Sequence, residues 1–202
     1  MVFINKTAYF TQDEAIYHYW SYIVVTTVFN GFLINMVRLR ESGFFKTLTY
    51  LVGSKYSIIV SNLLVQVLVV QMEILIFNLI VMIFIAPVSI ITFLYGFLTT
   101  FLTTLLTAAM LSGFLLLKIK QFWFNNLCGL FFFWGLLFMG LHLPGLAEYI
   151  LVAMNPFQFI YGIYIVPCTS LYFEILITCC ILFYLVLGSI VFKNISIKRQ
   201  LR

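Results

Sequence analysis

The chain has 202 residues, 64% of them hydrophobic and 8% charged, and a net charge of +5. An average soluble domain carries about 25% charged residues, so too few charges are present to cover a water-facing surface, and a soluble globular domain is excluded. With 11 Gly, 4 Pro and 4 Cys, collagen-like, disordered and disulfide-scaffold classes are excluded too.

The positive charge does not indicate nucleic-acid binding. The 11 Lys and Arg residues sit in short clusters between long apolar runs, which is the pattern of a multi-pass membrane protein with positive loops inside. No cleavable signal peptide is expected, because residues 1–15 hold one Lys and no apolar core. Thr11-Gln12-Asp13-Glu14 matches a capping box and predicts a helix start. Five apolar runs follow: residues 16–37, 56–85, 88–117, 122–141 and 170–192. About 20 helical residues match the ~30 Å hydrocarbon core, so each run is read as a membrane-crossing helix. The two 30-residue runs exceed that thickness and are expected to tilt or project.

The stretch 143–167 differs. Pro144, Pro156 and Pro167 divide it into pieces of about ten residues, each too short to cross. Asn155-Pro156 is a helix start, with Asn as cap and Pro at the first position. The segment is read as two half-helices that enter from outside and return. Ten of the 11 basic residues then fall on one side: Arg38, Arg40, Lys46 and Lys55 in one loop, Lys118 and Lys120 in a tight turn, and Lys193, Lys198, Arg199 and Arg202 in the tail. Only Lys6 lies opposite. The N-terminus is therefore placed outside and the C-terminus in the cytoplasm. Tyr17, Tyr19 and Trp20 are expected as anchors at the outer face, and Tyr56 and Trp123 at the inner one. The whole chain, 1–202, reads as a single all-α membrane domain with no internal repeat.

Little enzymatic chemistry is legible. Gly53-Ser54-Lys55 lacks the glycine spacing of a Walker A loop, and no HExxH or GxSxG occurs. Cys128, Cys168, Cys179 and Cys180 show no metal spacing, and no metal ligand set is assigned. His18 and His142 are read as polar residues near the outer face rather than as a ligand pair. Glu73, deep in the second span, shares a helix face with Asn62 and Gln66, while Gln71 and Asn78 lie roughly opposite. A carboxyl there marks either a substrate path or subunit interface, or a neutral Glu bonded to a neighbouring helix. Thr100, Thr103 and Thr107, with Gly96, form one line on the third span, and Ala109 and Gly113 make a small-xxx-small pair. Helix packing and a cavity lining are both open for them.

The loop 38–55 carries most information. Phe44, Leu48 and Leu51 share a face at i, i+4 and i+7, away from Arg40 and Lys46, which predicts a short amphipathic helix over about 38–52. Such a helix lies on anionic headgroups or docks into a partner. With Arg40-Glu41-Ser42-Gly43 and Lys46-Thr47-Leu48 in this place, followed by further spans, a broken outer segment and a last span, the chain resembles the ABC type-2 exporter permeases over about residues 16–200. The family places Pro in the turn after this helix, where Val52-Gly53 stands here. Relative to the family pattern the chain is expected to lack the first interfacial helix and first span.

The resemblance implies a coupling helix, with Arg40, Glu41, Gly43, Phe44, Lys46 and Leu48 as its contact residues. It also implies a separate ABC ATPase subunit that carries ATP and Mg, and a second permease subunit, the same or different. The substrate class stays open among peptide, drug, lipid and lipid-linked glycan. Two other classes remain: a non-transporting accessory or immunity protein of another membrane complex, and, less well supported by spacing, an intramembrane enzyme using Glu73 and a histidine. Abundant Phe, Ile and Asn point to an AT-rich bacterial genome, hence a bacterial cell membrane.

Overall fold

The computed structural model describes residues 11–84, 90–117, 120–139 and 146–195, with side chains from Ala15 onward except at 146 and 168. The predicted capping box at Thr11–Glu14, His142, Pro144 and most of the basic tail thus lie outside the described side chains. Every element is helical, and no strand occurs among the described residues.

The first apolar run is longer than expected and is not a plain α-helix. α1 (Thr11–Thr27) continues through a π-helical segment, Val28–Leu33, into α2 (Ile34–Glu41). The residues flanking the π segment keep right-handed helical angles, so the three pieces form one rod. Ile34 N–H reaches back five residues to Phe29 O, and the Asn30 side-chain amide donates to Thr26 O at 3.0 Å. Such wide turns leave backbone carbonyls to be met by other donors.

α3 (Phe44–Val52) is bracketed by Gly43 (φ 79°) and Gly53 (φ 76°), both left-handed. Only glycine enters that region without a Cβ penalty, so the two glycines turn the chain sharply into and out of α3. α4 (Lys55–Phe84) runs antiparallel to the α1–α2 rod. α5 (Ile90–Leu111) follows, tightening at its end into a 3₁₀ segment, Ser112–Leu116. α6 (Gln121–Leu137), α7 (Leu146–Met154), α8 (Pro156–Ile165) and α9 (Leu171–Asn194) complete the bundle, with a 3₁₀ turn at Val166–Cys168.

α1 is the central element, packed against α4, α5 and α8. Trp20, Val24, Val25, Val28, Phe32 and Leu33 are fully buried along this rod. Trp20 therefore corrects one expectation: it is a core residue and not an interfacial anchor. Its indole fills space left by Gly96 of α5, whose Cβ would lie 2.6 Å from indole Cζ2. Tyr19, Tyr56 and Trp123 are exposed as anchors would be. The small-residue pair finds its use where Ala109 of α5 meets Gly188 of α9, since a Cβ on Gly188 would lie 2.8 Å from Ala109 Cβ.

Four helices are long and apolar enough to cross a membrane: Ala15–Glu41, Lys55–Phe84, Ile90–Leu116 and Leu171–Asn194. The remaining expected span is shorter than its apolar run. α6 has 17 residues, ~25 Å at 1.5 Å per residue. Residues 140 and 141 of that run lie outside those described. α6 nevertheless joins the two ends of the bundle, since Gln121 N–H bonds Glu41 near α3 and Met139 lies beside His18 and Tyr22 at the other end.

The stretch with three prolines folds as the short helices α7 and α8 about Asn155. Asn155 Oδ1 accepts from Phe157 N–H at 3.1 Å, and its Nδ2 donates to Gly135 O of α6 at 2.9 Å. α8 starts at Pro156 behind the Asn155 cap, as the cap-and-proline pair predicts, and is buried over most of its length. At the α3 end, Lys55 Nζ donates to Lys193 O at 2.6 Å, placing a cation where the α9 carbonyls end. Gly96→Ala is expected to destabilise the bundle by about 1–3 kcal/mol through overpacking against Trp20. Gly129→Ala meets open space and should leave the melting temperature in detergent unchanged or raised. Equal melting of the two variants would contradict this packing.

Candidate functional site

Two groups of residues stand out, one at the α3 end and one midway along the rod. At the α3 end, Arg40 is 5% exposed. Its Nη1 donates to Leu115 O at 2.6 Å and its Nη2 to Leu117 O at 3.0 Å. Glu41 Oε2 accepts the Gln121 N–H at 2.8 Å. The guanidinium thus meets carbonyls that end α5, and the carboxylate meets an amide that begins α6. Each charge complements the helix end it touches. Sequence reading assigned Arg40 and Glu41 to a partner's groove, whereas here both side chains make contacts inside the chain.

The same helix presents other predicted residues outward. Phe44, Lys46, Tyr50, Leu51 and Val52 are exposed, and Leu48 is half-buried. Lys46 Nζ lies 5.8 Å from the Tyr50 ring centroid. The buried anchor is Phe45, which the periodicity did not single out, while Phe44 and Leu51 of the predicted apolar face stay exposed. Gly43 starts the helix with its left-handed φ.

Midway, the rod and α4 share polar rungs. Trp20 Nε1 donates to Asn78 Oδ1 at 2.8 Å, Thr27 Oγ1 to Glu73 Oε2 at 2.5 Å, and Asn35 Nδ2 to Asn62 Oδ1 at 3.5 Å. Between the last two, the Gln66 amide occupies the space a Cβ on Gly31 would need. The rungs 20–78, 27–73, 31–66 and 35–62 follow one antiparallel register. Asn78, expected opposite Glu73, joins them through the long indole. Gln71 turns the other way and donates to Phe97 O of α5 at 3.1 Å. Much of the surface of α4 is exposed, and its buried side combines Gln66 and Asn78 with Ile59, Val67, Val70, Ile74 and Val81.

Thr100, Thr103 and Thr107 are buried. Thr100 and Thr103 hydroxyls lie 3.1 and 3.0 Å from Tyr164 Oη of α8, and Thr107 donates to Thr103 O at 2.7 Å. They join α5 to α8. Tyr164 and Trp20 were missed as structural polar centres; the available signal was an aromatic polar residue inside an apolar run.

One face of α1 and the π segment is left open by the described residues. His18, Tyr22, Thr26 and Asn30 recur every four residues along it. Asn30 and Tyr22 are exposed, as are the neighbouring Tyr19 and Glu73. At the end away from α3, His18, Tyr19, Tyr22 and Met139 line an open depression. Among the described residues, no three His, Cys, Asp or Glu side chains come together as metal ligands. No protein-family model matches the chain, and neither the curated proteins nor the solved structures contain a match.

Arg40→Ala strands the Leu115 and Leu117 carbonyls and is expected to cost about 1.5–3 kcal/mol, the range for hydrogen bonds to charged groups. Arg40→Lys should recover only part, lacking the two-pronged reach. Spin labels at Tyr50 and Lys120 should give one narrow distance in the parent protein and a broad distribution in Arg40→Ala. A narrow distribution in the variant would deny the clamp.

Proposed function

We propose that this chain is the transmembrane permease subunit of an ABC exporter, driven by ATP and Mg bound to a separate ATPase subunit. The carrying observation is α3. It is a short helix set off by two left-handed glycines, anchored by Phe45 and fastened through Arg40 and Glu41 to the ends of α5 and α6. Its outward face offers Phe44, Tyr50 and Leu51 beside Lys46. A helix so mounted transmits a push, because its attachment is stiff while its contact face is free. In this reading α3 is the coupling helix, the ATPase takes its outward side, and the α5–α6 turn receives the displacement.

Four apolar helices support a multi-pass membrane protein. α6 makes the fifth crossing in this reading, since it joins both ends of the bundle and the low end of the spanning range is about 17 residues. α7 and α8 are the outer re-entrant pair. Arg38, Lys46, Lys55, Lys120 and Lys193 gather at the α3 end by chain connection and contact, which supports reading that end and the C-terminus as cytoplasmic in a bacterial cell and the N-terminus as outside. A second permease, the same or different, completes the transporter.

The exposed Tyr50, Leu51 and Val52 beside Lys46 and Lys55 also suit a helix resting on headgroups. That is the favoured second reading, an accessory or immunity protein of another membrane complex. Native mass spectrometry of the protein, extracted gently from its own membrane, separates the two. An ATPase in equal number is expected. Leu51→Asp and Gly43→Pro should insert normally and lose that ATPase, or lose its response to the permease. Extraction without any ATPase would overturn the exporter reading and leave α3 as a headgroup helix.

A further inference from the structure

The Glu73 carboxyl presents an electrostatic problem that the fold does not solve. Thr27 is its hydrogen-bond donor, but a hydroxyl brings no charge. No Lys or Arg occurs in residues 7–37, 56–117 or 121–192, so α1, the π segment, α5 and α4 beyond Lys55 carry no cation. Lys55, at the start of the same helix, is 18 residues away, or ~27 Å along the axis. Yet Glu73 is exposed at the surface of the fold. A carboxylate in hydrocarbon is stable only when paired, wetted or neutralised.

The surroundings indicate which pairing suits it. Phe77 lies one turn from Glu73 on α4, and its ring is 5.4 Å from that of Tyr19. Tyr19 is 58% exposed and Tyr22 43% exposed. Thr26 and Asn30 continue the same face past Thr27. One acid, three aromatic rings and a few neutral polar groups thus share an open face. Aromatic faces attract cations, and more strongly where water is absent. Among the described residues no Lys or Arg side chain lies on this face to bind an anion. The face is also deep. Thr27 lies eight residues from the exposed Tyr19, ~12 Å along the rod, which favours a solute dissolved among the acyl chains over a lipid headgroup held at the interface.

We propose that this face binds a hydrophobic monovalent cation, such as a quaternary ammonium with apolar substituents, which enters sideways from the bilayer. Its charge pairs with Glu73, its apolar groups lie on Tyr19, Tyr22 and Phe77, and Thr27 holds the carboxylate in place. Binding needs no ATPase. Describing the cation as cargo rests on the exporter reading.

The test uses the full chain in nanodiscs of neutral phosphatidylcholine, with radiolabelled tetraphenylphosphonium as probe in equilibrium dialysis. Saturable binding at one cation per chain is expected. Glu73→Gln, which can still pair with Thr27, should bind at least tenfold more weakly, while Glu73→Asp keeps most of the affinity. Tyr19→Leu combined with Tyr22→Leu should weaken binding several-fold with melting unchanged. Non-saturable uptake, or equal affinity in Glu73→Gln, overturns the proposal. So does an Asn30→Cys variant that crosslinks two copies in the membrane regardless of the cation, because a second copy then owns the face. The assay contains no ATPase, so this proposal and the exporter reading can fail independently.

Discussion

Hydrocarbon provides no hydrogen bonds, so a polar group placed in the middle of an apolar helix must find its partner on another helix. The rod α1–π–α2 and α4 are arranged around that requirement. Asn78, Glu73, Gln66 and Asn62 each meet a residue of the rod in one antiparallel register. Slipping the pair by one turn would separate several of these contacts together. The rest is built on the rod so positioned: α5 receives Trp20 over Gly96, α8 lies along its other side, and α9 closes on α5 where Gly188 meets Ala109.

A different kind of pairing governs the α3 end. There the groups in need of partners are the ends of helices rather than side chains. Arg40 and Glu41, adjacent in sequence and opposite in charge, serve a helix C-terminus and a helix N-terminus in turn. Burying an arginine is tolerable because two carbonyls receive it and Glu41 lies next to it. The consequence is mechanical. α3 is held by its root and by Phe45, while its outer face stays clear. The exporter reading rests on this contrast between a fixed base and a free face.

The two sites are joined by the same rod. α2 ends in the clamp, and the π segment one helix segment above it carries Asn30 beside the Glu73 rung. π turns are often found at functional positions because they re-aim side chains and loosen the local backbone ladder. A displacement of α3 would be passed along α2 to the turn where the uncovered acid and aromatic face begins. The proposed cation face and the proposed coupling helix thus lie on one continuous rod.

Much of the architecture was legible in the residues. Apolar run length determined where α4, α5 and α9 would lie, because only helices of that length bury their backbone in lipid. Asn155-Pro156 marked the start of α8, because cap and proline chemistry is local. The helix read over about 38–52 is shorter in the structure, because left-handed Gly43 separates the end of α2 from α3, which begins at Phe44. What only the tertiary structure decided was the use of each polar side chain. A helical wheel records which way Arg40, Trp20 or Thr100 points on its own helix. It does not show which helix lies opposite, so Arg40, read as a partner contact, and Trp20, read as an interfacial anchor, turned out to meet neighbouring helices, and of the two uses open for Thr100 and Thr103 the structure shows helix packing. The π segment was illegible as well, because widening a turn depends on what packs against it. Glu73 stood out in both readings: sequence alone placed a carboxyl deep in an apolar helix, and the fold paired it with Thr27 yet left it exposed.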